Sequence, residues 1–179
     1  MPAAASAPLS VYVASPEGQT GKSVVALGLV DLLLRRVRKV GVFRPIVRGD
    51  EEVDELVRLL IGREGVDLDY EACIGVTYDD VHVDADAALA TIVERHRALA
   101  RSCEVVIVVG SDYTDVAGPT ELAFNARVAA NLGAPVLLVV RAHERHPDEV
   151  AQVAEIAMEE LAAAHAPTLG LIANRSDPE

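Results

Sequence analysis

The chain has 179 residues, 51% of them apolar, with four Tyr, two Phe and no Trp. That length suits one domain with a proper core, and a palette rich in Val, Ala and Leu suits buried parallel strands alternating with helices. A formal charge of -12 argues against nucleic acid or an anionic membrane as main partner, despite the basic run Arg35-Arg36-Val37-Arg38-Lys39.

No apolar run reaches the roughly 20 residues that span a bilayer. The opening MPAAASAPLS has neither the basic nor the apolar region of a secretion signal, so residues 1–8 read as a disordered extension and the protein as cytoplasmic. LSVYVAS (9–15) is the first predicted strand and feeds a glycine-containing loop. KSVVALGLVDLLLRRV (22–37) predicts a helix with Val25, Leu29, Leu32 and Leu33 near one face. KVGVFRPIV (39–47) is a second strand ended by Pro45, and EEVDELVRLLIG (51–62) a helix stopped by Gly62.

EACIGVTY (71–78) reads as a short strand, and residues 84–102 as a helix whose acidic opening suits the dipole. EVVIVVG (104–110) is a strand buried on both faces. Residues 119–133 read as a helix with Pro at its start and Gly at its end. A strand at 134–140, a helix at 147–165 and a strand at 168–174 complete the pattern. The alternation predicts an α/β fold of Rossmann-like P-loop type, a mostly parallel sheet with helices on both faces. The chain stops just after a strand, where an open α/β sheet usually leads into another helix, so it reads as a piece of a longer polypeptide. Cys73 and Cys103 are too few and too far apart for a disulfide framework and read as small buried hydrophobes.

The stretch ASPEGQTGKSVV (14–25) carries the chemistry. Gly21-Lys22-Ser23 ends as a phosphate-binding GxxxxGK[ST] loop does, but Pro16 stands where the opening glycine belongs. Strand, loop and helix come in the required order. Gly18, Gln19, Thr20 and Gly21 would cradle phosphate with backbone N–H groups, Lys22 would reach the terminal phosphates, and the Ser23 hydroxyl would sit on Mg²⁺. ATP or another nucleotide with Mg²⁺ is the expected ligand. His143 and His146 lack a correctly spaced third ligand and read as loop residues.

SPEGQTGKS resembles the longer loop of dethiobiotin synthetase-like P-loop proteins, with Ser15 at their leading glycine. That resemblance makes Asp54 a metal ligand and Asn174, in GLIANRSDP, an adenine reader. Taken together, VYVASPEGQTGKSVVALGLVDLL, VGVFRPIVR, GVTYDDV, VVGSDYTD and ELAFNARVAANLGAPVLLVV are similar to the N-terminal domain of long bacterial phosphate acetyltransferases. The resemblance runs over 9–178 as a single domain. It implies that acetyl transfer between coenzyme A and phosphate belongs to a C-terminal domain that is not in this chain. By the same resemblance, the partners are downstream domains of one polypeptide and further copies of it, with no nucleic acid and no membrane.

Three departures weaken catalysis here. Arg44 stands at the synthetase lysine, and Val109-Gly110 stands where a Glu-Gly pair is expected. The segment between Tyr78 and Asp84 is short where the synthetases contact substrate. Asp112 or Asp115 would have to substitute as a metal or water contact; the alternative is an Asx-type turn. ParA/MinD-type ATPases carry an extra loop lysine where this chain has Glu17. The expectation is a regulatory or structural domain that binds nucleotide or another anion. The alternatives are a free-standing ATP-dependent ligase and a nucleotide-independent oligomerisation module.

Overall fold

The computed structural model describes residues 9–49, 53–111 and 121–176. Continuous apolar segments become the strands β1 (Leu9–Ala14), β2 (Val40–Val47), β3 (Ile74–Thr77), β4 (Val105–Val109), β5 (Val136–Arg141) and β6 (Thr168–Asn174). Amphipathic segments become α1 (Lys22–Leu34), α2 (Glu55–Ile61), α3 (Tyr78–Val83), α4 (Ala85–Ala100), α5 (Glu121–Leu132) and α6 (Pro147–Ala163). The strands lie in the order β3-β2-β4-β1-β5-β6, and every neighbouring pair is parallel.

Successive strand residues point to opposite faces, and the core divides accordingly. Tyr12, Ala14, Val106, Val108, Leu138 and Val140 pack with residues of α4, α5 and α6. Val13, Val105, Ile107, Val109 and Val139 pack with Ala26 and Val30 of α1 and Leu60 of α2. The predicted two-sided parallel sheet is the observed one. β1 sits between β4 and β5, so the chain's winding reverses at β1. The carboxyl ends of the strands beside such a reversal are where α/β sheets place ligands. The loop after β1 stands at that point.

Several local readings shift. Residues 71–78 are not one strand: a 3₁₀ turn (Tyr70–Cys73) precedes β3, and the chain enters α3 directly. The helix starts because the Thr77 side chain accepts from Asp80 N while Asp80 returns a carboxylate to Thr77 N, a reciprocal cap. The face of α1 is centred on Lys22, Ala26 and Val30, and Leu32 is 54% exposed. This helix is apolar almost all round, so its sequence pattern carries no phase. The helix read at 51–62 is observed from Glu55, capped by Asp54. Cys73 is buried, and burial pushes its thiol up to about 12. Cys103 is only half-buried, and both are free thiols. Among the described residues, no helix is long and apolar enough to cross a membrane.

Candidate functional site

Between β1 and α1 the backbone turns through two left-handed residues, Gln19 at φ 59° and Gly21 at φ 80°. Gly21 is required twice over. A side chain there would be strained by its φ, and its Cβ would lie 2.4 Å from Asn174 Nδ2. The helix's own bonding begins with Val24 and Val25, both donating to Gly21 O, so the preceding amides are not consumed by α1. Side chains cap α2, α3, α4 and α6 at their N-termini, but none caps α1. The start of α1 therefore presents N–H groups and a positive dipole end at the sheet's ligand edge. The Ser15 hydroxyl, on a residue only 7% exposed, has no hydrogen-bond partner among the described residues.

Late parts of the chain strap one flank of the loop. Glu17 takes a bidentate pair from Arg145, at 2.5 and 2.7 Å, and accepts from Arg141 N at 3.3 Å. The Arg145 hydrogen bond holds the Glu17 carboxyl below its usual range, against a partial burial that works the other way. Asn174 Nδ2 donates to Thr20 O at 2.8 Å, and Arg175 Nη1 donates to Gln19 O at 2.8 Å.

The other flank is buried. Lys22, 3% exposed, donates from Nζ to Gly110 O at 2.6 Å and Ser111 O at 3.0 Å, beyond the end of β4. Arg44, at 4% exposure, donates from Nη1 to the same Gly110 carbonyl and to Val109 O at 3.2 Å. Its Nε pairs with Asp54 Oδ2 at 3.1 Å. Asp54 Oδ1 accepts from Val57 N at 3.1 Å as the cap of α2. The Gly110–Ser111 peptide is fixed from behind, because Asn125 Oδ1 accepts from Ser111 N (3.1 Å) and from the Tyr12 hydroxyl (2.6 Å). Burial pushes the Tyr12 phenol up, with Arg44 opposing. A Cβ on Gly110 would meet Asn125 Oδ1 at 2.5 Å, so only glycine fits between Lys22's acceptor and this network.

The anticipated residues thus converge only in part. Gly18 and Gln19 are exposed, Thr20 is buried, and Ser23 is exposed at the first turn of α1. Ser23, Arg44, Arg48 and Asp54 line one cleft of about 270 Å³. Asn174 reaches the loop rather than standing apart from it. Asp112 and Asp115 lie outside the described residues. His146 is the N-cap of α6, paired with Glu149. The described residues hold no group of three or more His, Cys, Asp or Glu placed for a metal. Sequence reading did not single out Asn125, Arg145, Arg175 or Tyr12. Their links to one another, to Glu17 and to Gln19 span 113 to 156 residues, which no local pattern announces, beside short links to Ser111, Glu121 and Arg141.

Residues 10–179 match the family model described as AAA domain. The chain is 30% identical over 148 residues to a phosphate acetyltransferase of Nitratidesulfovibrio vulgaris, covering 79% of this chain and 21% of that protein. It is 27% identical over 177 residues to a phosphate acetyltransferase of Synechocystis sp., covering 95% of this chain and 25% of that protein. The chain therefore spans a quarter or less of these relatives' length. Among solved structures, the kinase domain of Escherichia coli tyrosine kinase ETK superposes with a TM-score of 0.62 at 18% identity, covering 97% of this chain and 71% of that one. The BceF tyrosine kinase domain gives 0.57 at 18% identity, covering 94% and 69%. At that identity the likeness is one of fold.

Proposed function

The chain belongs to the AAA domain family, and from that membership and the loop geometry we propose that it is the phosphate-sensing, non-catalytic module of a phosphate acetyltransferase. The observation that carries this reading is the uncapped start of α1, with Lys22 docked on the Gly110 and Ser111 carbonyls beside it. A phosphate entering the loop meets N–H groups, a helix dipole and the Lys22 ammonium, which donates to the Gly110 and Ser111 carbonyls. The buried Ser15 hydroxyl at the loop's start, without a partner among the described residues, adds a polar group suited to a ligand.

Turnover asks for an aligned nucleophile and a general base. At the place of the synthetase-type glutamate stands Val109, buried in the core beside α1 and α2. Occupancy then acts by shifting a domain equilibrium, which requires different affinity in two states. Exposed apolar side chains at Val24, Leu32, Leu169 and Leu171 give the module surface for docking on further domains or copies.

Calorimetry with ATP, ADP and orthophosphate, on the wild type and Lys22→Ala, tests the reading. Binding that Lys22→Ala weakens by about tenfold or more, with negligible ATP hydrolysis, is expected. Absence of binding at millimolar concentration, or equal binding by the variant, contradicts it. Rapid ATP turnover would favour the ligase alternative.

A further inference from the structure

A phosphate loop that ends in Gly-Lys-Ser ordinarily uses its hydroxyl and an acidic partner to hold Mg²⁺ against the phosphates. Ser23 meets the first half of that requirement, being exposed at the start of α1. Asp54, which lines the same cleft, does not fit the second. One of its oxygens caps α2 through Val57 N and the other is held by Arg44 Nε, with its side chain 7% exposed. The guanidinium holding it stays protonated at any ordinary pH. A dication brought onto Asp54 would face that fixed charge at close range in a poorly solvated place. Pulling Asp54 away would instead strand a buried cation.

Arg44 also donates to Gly110 O, the carbonyl that holds Lys22 Nζ at 2.6 Å. Two cationic groups therefore meet at one oxygen, at the edge of the phosphate loop. Lys22 is there a charged donor for phosphate oxygens, with the Arg44–Asp54 pair beside it.

We infer that Arg44, by engaging Asp54 and standing beside Lys22, makes this a site for metal-free phosphate groups. Its preferred ligands are orthophosphate, pyrophosphate or ADP rather than the Mg²⁺ complex of ATP. The inference rests on the proposed anion-binding reading of the loop and specifies the ligand's form.

Pyrophosphate is titrated calorimetrically into the 179-residue chain in EDTA and in excess Mg²⁺. The expected result is binding in EDTA that Mg²⁺ weakens or leaves unchanged within about twofold. Tightening by Mg²⁺ beyond that range overturns the inference while leaving phosphate binding intact. No binding in either buffer overturns the underlying reading as well. Two variants separate the roles of the residues. Asp54→Asn keeps a capping oxygen for Val57 N but removes a negative charge; it should bind pyrophosphate in EDTA at least as tightly as the wild type. A loss of affinity confined to the Mg²⁺ buffer would mark Asp54 as a metal ligand and overturn the inference. Arg44→Lys loses the fork that grips Asp54 and should make binding tighten with Mg²⁺. A variant that remains indifferent to Mg²⁺ denies Arg44 its role.

Discussion

The two flanks of the phosphate loop are held by different physics. Toward β2 and β4, buried Lys22 and Arg44 both donate to Gly110 O, and Arg44 also pairs with the largely buried Asp54 carboxylate. Toward β5 and β6, the straps Glu17–Arg145, Asn174–Thr20 and Arg175–Gln19 are half-buried or exposed. A buried charge whose partner is removed has no water to turn to, whereas a strap released at the surface is rehydrated. The buried flank should therefore set the stability of the site, and the straps should tune the loop's position.

The largest way to break that contrast is Arg44→Ala. It leaves Asp54 buried without its guanidinium and should cost about 3–5 kcal/mol in denaturant unfolding. A cost below about 1 kcal/mol, no more than a surface pair gives, would erase the distinction between the flanks.

Acid sharpens the comparison, because the first stability lost belongs to neither flank. His96, 5% exposed, shares a 3.1 Å hydrogen bond with Ser10 and packs edge-on against Phe43. Burial lowers its pKa from 6.5 to about 4. Between those values the unfolded chain takes up a proton that folded His96 refuses, so stability falls as pH drops from 6.5 toward 4 and levels off below. The loss should approach about 3 kcal/mol. His96→Gln should flatten that part of the stability–pH curve; an unchanged slope would mean that His96 protonates freely in the fold.

The smallest effect belongs to the strap. Glu17 is depressed below its ordinary 4.5, so its contribution is complete above 4.5 and disappears as pH falls through the lower folded value. Glu17→Gln should cost about 0.5–1 kcal/mol at neutral pH and nothing once acid has protonated the wild-type carboxyl. A loss of several kcal/mol, measured by the same unfolding experiment, would place the strap on a par with the buried flank.

The contrast also explains what could be read from the sequence. β4 and β5 were legible because strands buried on both faces are written as unbroken apolar runs. The loop was legible because Gly21, Lys22 and Ser23 are adjacent. The α3 turn was missed because its signal is a short reciprocal cap between Thr77 and Asp80, hidden against a strand that ends at the same residue. Arg44 was visible as a departure from the synthetase lysine, but its grip on Asp54 was not. Ten residues of separation across a strand end and a loop do not reveal whether two side chains meet. The straps were further out of reach, since Glu17 and Arg145 are brought together only when β1 and β5 pair.

The central claim is that phosphate is received by the loop's backbone and by Lys22. Its most direct test is an amide proton–nitrogen NMR titration of the chain with ADP. Saturable shifts concentrated at Gly18 to Ser23, with matching perturbation of the Gly110 and Ser111 amides as Lys22 leaves their carbonyls, are the predicted result. Shifts confined to other surfaces, or none up to millimolar ADP, would contradict it.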